Sequence, residues 1–409
     1  MTAMPTPHDD ALRGASVDRV RAALRARDPL PGGRGFAGLL ADPPDRPGPV
    51  LVRDALGREP LFVEADALDA ARGVTPTAPN AWGFDPTALD DPAPVPAGGV
   101  VSVGGVDRVW RLPDPGATAD RAAAQTAVDD AVSAALAGLA DGADRSGDDG
   151  LAVAFSGGVD SGLVAAAAPE APRYVAGFEG CHDVAAARDA VAAADREGPA
   201  PDLRVVEIGH DDIRRAARAV AAATGRRNPM DVAIAVPLYL AGEAAAADGH
   251  DRLALGQGAD ELFGGYSKVA APDGDDRVAA DTVRAARTET VHTLPRQLER
   301  DVPALRAAGV EPVTPLLDDR VVAAALALPG DLLVDGETRK VALRRTAAGR
   351  VPESVRVADK KAVQYGTYVS RELDRLARRA GYKRRMDDHV ASYLDALCAD
   401  EKTAREGRD

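Results

Sequence analysis

Apolar positions along the chain fall into two regimes. Up to about residue 115 they come as short runs, at 36–40, 50–52, 61–63, 100–103 and 109–112, broken by Pro/Gly turns. That spacing predicts a small β-rich domain. Ser16 followed by Val17, Val20 and Leu24 predicts a short capped helix, and Val128, Val132, Leu136 and Leu139 recur at helical spacing before a polar loop at 141–150. From residue 151 the runs at 151–155, 174–178, 203–208 and 252–255 read as buried strands, with Ala-rich helical stretches at 183–194, 211–223 and 236–247 between them. Strand–helix alternation implies an α/β fold, a doubly wound parallel sheet covered on both faces, with ligands at the carboxyl ends of its strands. Beyond Arg277 the chain reads as mostly helical, without a strict repeat. The expected organisation is one domain over 1–115 and a larger one over 119–409.

Composition narrows the function. The chain has 409 residues, room for two or three domains, and a net charge of −14. That sign argues against nucleic acid as a partner, because phosphate backbones recruit basic surfaces. No long uninterrupted apolar stretch predicts a membrane span, and the first residues lack the basic and apolar regions of a secretion signal. Two cysteines, Cys181 and Cys398, make no disulfide framework, so a reducing cytoplasm is expected. Only six of the 50 basic residues are lysine: Lys268, Lys340, Lys360, Lys361, Lys383 and Lys402. An Asp-heavy, Lys-poor chain of this charge is expected of a halophilic, salt-adapted organism, with codon usage as the alternative cause.

Two motifs carry candidate chemistry. Ser156-Gly157-Gly158-Val159-Asp160-Ser161 follows a predicted strand and opens a predicted helix. Glycines there let backbone N–H groups close on an anion, the helix start adds partial positive charge, and the serines add hydroxyl donors. The loop is not the GxxxxGK[ST] type, which disfavours γ-phosphate transfer. Downstream, Gly256-Gln257-Gly258-Ala259-Asp260-Glu261 also follows a strand and continues to Gly264-Gly265-Tyr266. Carboxylates beside bound phosphates repel them unless a divalent cation intervenes, so Asp160 and Asp260 are the expected Mg2+ ligands. For Glu261, a helix cap and a partner for arginine stay open as alternatives.

Together, SGGVDS and GQGADELFGGY resemble the synthetase domain of the asparagine synthetase family, within the ATP pyrophosphatase superfamily. The 174–179 segment (YVAGFE) is similar to the family's second strand, 313–318 (VTPLLD) to its PFLD segment, and 340–344 (KVALR) with 351–353 (VPE) to later ones, so the resemblance runs from about Ala119 to Tyr368. It implies an adenine nucleotide alpha hydrolase-like fold with a helical C-terminal part. It also implies Mg2+-dependent attack of the aspartate side-chain carboxylate on the α-phosphate of ATP, then amidation of β-aspartyl-AMP by ammonia. On that resemblance Ser156, Gly157, Gly158 and Ser161 hold pyrophosphate, and Phe155, Gly177, Phe178, Leu255 and Gly256 lie near the nucleoside. The 359–366 segment (DKKAVQYG) aligns Lys360 with the family's catalytic lysine, with Lys361 beside it. A retained Lys-Lys pair in an Arg-dominated chain suggests that a compact ammonium is needed.

Two departures stand out. Residues 35–62 resemble only the late part of the family's N-terminal glutaminase; Thr2 follows Met1 and no cysteine precedes Cys181, so the 1–115 domain is expected to be a truncated, inactive remnant. Gln257 stands where relatives often carry a glutamate that handles protons, and Gln takes no proton at neutral pH. The reading is therefore an asparagine synthetase-like ligase acting on ATP, aspartate or a similar acid, and free ammonia or ammonia from a separate glutaminase. A homodimer, no nucleic acid and no membrane complete the expected partners. The alternatives are a β-lactam-synthetase-like ligase for another carboxylate and a non-catalytic nucleotide-binding regulatory paralogue. Cys181-His182-Asp183 reads as a loop after the second strand rather than a metal site.

Overall fold

A computed structural model describes residues 10–140, 150–196, 201–270, 282–358, 363–385 and 388–406. The chain divides into two compact units, each assembled from separated segments. The first takes residues 10–140, 256–299 and 314–346; the second takes 150–255, 300–313 and 347–406, within the described residues.

The first unit holds a five-stranded antiparallel sheet in the order Ala11–Arg13, Ala37–Leu40, Val50–Arg53, Gly99–Ser102, Gly105–Arg108. Strand side chains alternate between faces, and here both faces are covered. Leu40, Val50, Val52 and Val100 pack with Val20 and Leu24 of helix Val17–Ala26. Ala37, Leu39, Leu51 and Val101 pack with Leu61, Val63 and Val95. Those last three belong to or adjoin a smaller sheet ordered Trp82–Gly83, Phe62–Glu64, Pro92–Pro94. Two buried faces explain the unbroken apolar run at 50–52.

The run at 109–112 departs from expectation. It is not a strand; the neighbouring Gly105–Arg108 takes that place. Trp110 instead plugs the core, edge-on to Phe36 at 5.2 Å, its indole N–H donating to the Ala23 carbonyl. Ser16 is the N-cap residue of the first helix, but its side chain makes no capping hydrogen bond.

The second unit is built on a five-stranded, all-parallel sheet in the order Leu203–Glu207, Arg173–Gly177, Leu151–Ala154, Arg252–Ala254, Glu311–Val313. In chain order this is 3-2-1-4-5, the doubly wound arrangement whose direction of winding reverses between strands one and four. The four predicted strands are present. The fifth, Glu311–Val313, is too short and too proline-marked to announce itself in the sequence. Helix His182–Asp195 matches its prediction, as does His210–Thr224.

The third predicted helix begins seven residues early, at Pro229. Asn228 caps it by accepting from the Asp231 N–H at 2.9 Å, and proline at the first helical position costs no hydrogen bond. Pro237 inside it had hidden this extent. Pro229–Ala247 is long and apolar enough to cross a membrane by length and composition. In this fold Val232, Val236 and Leu240 are core residues, packed with Tyr174, Ala176 and Leu253 of the sheet.

Candidate functional site

The central strand Leu151–Ala154 delivers Phe155 and the Ser156–Ser161 loop at its carboxyl end, and helix Val159–Ala167 leaves from there. Gly157 has φ +74, and a Cβ there would sit 2.4 Å from the Ala186 carbonyl oxygen. Only glycine fits that cradle. The Ser161 hydroxyl donates to the Gly158 carbonyl at 3.2 Å and accepts from the Ser156 N–H at 3.3 Å, and the two serine oxygens lie 3.4 Å apart. Asp160 is buried in the first turn, at 3% exposure. A tight glycine turn, two hydroxyls and the start of a nine-residue helix together fit a phosphate group.

The second strand meets the loop side by side: Phe155 N–H donates to the Tyr174 carbonyl at 2.7 Å. Its end, Gly177, is hemmed by Cys181, whose Sγ would lie 2.5 Å from an added Cβ. Phe178 N–H donates to the Thr367 carbonyl at 3.3 Å and its ring lies 6.0 Å from that of His210. Cys181 caps helix His182–Asp195, and burial pushes its thiol pKa up, so it is a packed cysteine rather than a reactive one.

Lys360 and Lys361 lie outside the described residues. Both flanks of their segment dock on this site. Upstream, Val355 of helix Glu353–Val357 packs on the loop helix at Gly162, where an added Cβ would come within 2.9 Å of Val355 Cγ1. Downstream, helix Val363–Gly366 ends with Gly366 against the Asp183 carboxylate, and Thr367 bonds Phe178.

In the first unit, Gly256–Tyr266 forms a short helix, Ala259–Phe263, bounded by left-handed glycines Gly258 and Gly264. Asp260 Oδ1 lies 2.6 Å from the buried Lys340 ammonium. Gly265 makes this approach possible, since a Cβ on it would stand 1.8 Å from Asp260 Oδ1 and 2.3 Å from Lys340 Cε. Glu261 turns the other way. It is buried at 3% exposure and accepts from the Tyr266 hydroxyl and from Gln297 Nε2, the latter at 2.8 Å. Burial, then the Asp260 charge, raise its pKa; burial and Glu261 likewise raise that of Tyr266. Among the described residues, then, Glu261 bonds Tyr266 and Gln297 rather than an arginine. Leu255 ends the fourth-strand run with its N–H on the Val313 carbonyl at 2.9 Å, and Gly256 and Gln257 open the turn.

Lys340 is the residue that sequence reasoning undervalued. The scarcity of lysine marks it as much as Lys360, but its contact with Asp260 spans eighty positions and no local pattern announces it. Among the described residues no three His, Cys, Asp or Glu side chains gather as a metal cluster. Carboxylate oxygens suit a hard cation such as Mg2+, and phosphate oxygens would have to complete its shell. Asp160 and Asp260, each taken by itself, offer carboxylate oxygens of the kind such a cation takes.

A family model described as asparagine synthase matches residues 143–301 and 275–406, which span both motifs. The chain belongs to the asparagine synthase family. It is also similar to a protein of Methanocaldococcus jannaschii named "Putative asparagine synthetase (glutamine-hydrolyzing) 1", 27% identical over 291 residues. That alignment takes in 61% of this chain and 51% of the relative, so the chain spans about half the length of the relative it matches. Family membership accords with the parallel sheet of the second unit and with its phosphate-type loop at the central strand.

Proposed function

We propose that this asparagine synthase family protein is an ATP-dependent carbon–nitrogen ligase that adenylates the side-chain carboxylate of aspartate and passes the acyl group to ammonia, releasing AMP and pyrophosphate. The observation that carries the reading is the Ser156–Ser161 loop, whose glycine cradle and paired hydroxyls stand at the carboxyl end of the central parallel strand. Backbone N–H groups of Gly157 and Gly158 and the hydroxyls of Ser156 and Ser161 bind pyrophosphate oxygens. Phe155, Gly177, Phe178, Leu255 and Gly256 face the nucleoside. Asp160 and Asp260 hold Mg2+, which when bound offsets the repulsion between substrate carboxylate and triphosphate. Lys360, with Lys361 beside it, stabilises charge developing on the α-phosphate; docking of both flanks of their segment on the loop helix and second strand supports that assignment. Gln257 orients rather than deprotonates the amine, so the proton leaves to pyrophosphate or water.

Residues 35–62 resemble only the late part of a glutaminase, and ammonia comes free or from a separate glutaminase. The protein works in the cytoplasm, as a homodimer, in a salt-rich cell. An acid other than aspartate is the second reading, favoured by Gln257. AMP release with aspartate, comparing ammonium and glutamine as donors, tests the proposal: ammonium alone supports turnover, and glutamine-driven turnover by the pure protein overturns the assignment of the first domain.

A further inference from the structure

We infer that Arg58 is a positioning residue for the Gly256–Tyr266 turn, acting through Leu317. Arg58 is buried at 4% exposure, and Nε and Nη1 of its guanidinium reach three acceptors. Nε donates to Asp54 Oδ1 at 2.8 Å; Nη1 donates to the Leu317 carbonyl at 2.8 Å and to Asp319 Oδ1 at 2.6 Å. Arg58 itself is braced, its N–H bonded to Asp54 Oδ2 at 2.9 Å. The grip on 317–319 is completed by a second stretch of the first domain. Gly32 N–H donates to Asp319 Oδ2, and Asp319 N–H donates to the Gly33 carbonyl, both at 2.8 Å.

Leu317 is fully buried, and its side chain occupies the space beside Gly258: a Cβ on Gly258 would lie 2.2 Å from Leu317 Cδ2. Gly258, at φ +88, is the N-cap of the short helix that carries Asp260 two residues later. The path is thus Arg58, Leu317, Gly258, Asp260, all within one compact unit. A planar fork presents its donors to these acceptors in a fixed geometry that a single rotating ammonium does not have. A shift of Leu317 lets Gly258 relax, and with it the direction of the Asp260 carboxylate. Small misplacements of this kind lower the chemical rate rather than substrate affinity. This gives the segments around Gly32 and Arg58 a role: they hold the acidic turn in place. The effect on rate rests on the proposed function; the effect on the turn does not.

The test uses the full chain with Arg58→Lys and, separately, Leu317→Ala, which leaves the Arg58 clamp intact. Amide hydrogen exchange is read for residues 256–266 and, as a control, for strands Ala37–Leu40 and Val50–Arg53. ATP–pyrophosphate exchange with aspartate is read in parallel. The expected result in both variants is at least tenfold faster exchange in the turn with the strands unchanged, a fall of roughly 10- to 100-fold in kcat, and a KM for ATP within about threefold of wild type. The double variant should be no worse than the poorer single one, since both act on one path. Turn protection equal to wild type, or loosening spread evenly over turn and strands, overturns the inference. Should Arg58→Lys fail to fold, Leu317→Ala decides alone. Should the wild type show no exchange activity with any acid, the proposed function fails, and protection of the turn still decides the inference.

Discussion

Lys340 holds Asp260 at 2.6 Å with its ammonium buried and the carboxylate partly open to solvent. Its backbone sits at φ +58, the left-handed region, at the junction between a two-residue strand and helix Val341–Thr346. A lysine kept in that conformation is held by its surroundings. Replacing it by methionine removes the charge and keeps the volume. Because Asp260 reaches water, stability should change by less than about 1 kcal/mol. Turnover should fall by about 100-fold, the scale of losing one preorganised charge contact. Lys340→Arg should not rescue, because Gly265 leaves no room for a wider head group. Steady-state kinetics with chemical denaturation separates the two effects.

Gly157→Ala should abolish nucleotide binding. The residue is left-handed, which costs an alanine about 1–2 kcal/mol, and the new methyl meets backbone of Ala186 rather than a movable side chain. Calorimetric titration with ATP is the check; near-native affinity contradicts the cradle.

Arg53 is fully buried and bonds Glu299 Oε1 at 2.7 Å, with further bonds to the carbonyls of Gly57, Glu59 and Val95. Removing either partner leaves a buried charge. Arg53→Met alone should cost about 3–5 kcal/mol by urea denaturation, and adding Glu299→Met should recover a large part of it.

Glu261 gives stability a pH dependence. Its folded pKa is raised above 4.5, first by burial and then by Asp260. The folded state therefore keeps a proton that the unfolded chain releases. Stability contributed at this site falls as pH rises from about 4.5 towards the folded value, by at most about 1.4 kcal/mol per pH unit. Glu261→Gln should remove that slope, so its melting temperature should gain on wild type as pH increases. Parallel pH profiles of the two proteins refute the assignment.

What could be read from sequence was local. The Ser156–Ser161 loop was legible because strand, glycine turn and helix start follow one another within a dozen residues. The alternating regime from residue 151 exposed the doubly wound sheet for the same reason. Contacts between distant segments were not legible. Lys340 meets Asp260, Arg53 meets Glu299 and Arg58 meets Leu317 only after folding. The three-residue strand Glu311–Val313 is set by pairing with Arg252–Ala254, not by propensity. Trp110 was misplaced because an apolar run in a β-rich region reads as a strand, whereas its indole fills a gap beneath a helix.

Carboxylate adenylation is open to direct measurement by ATP–pyrophosphate exchange. The purified chain should be assayed with Mg2+ and a panel of carboxylic acids including aspartate, in dilute buffer and in molar KCl. Exchange should depend on aspartate and disappear in Gly157→Ala. Protein that is folded in either buffer yet gives no acid-dependent exchange contradicts carboxylate adenylation.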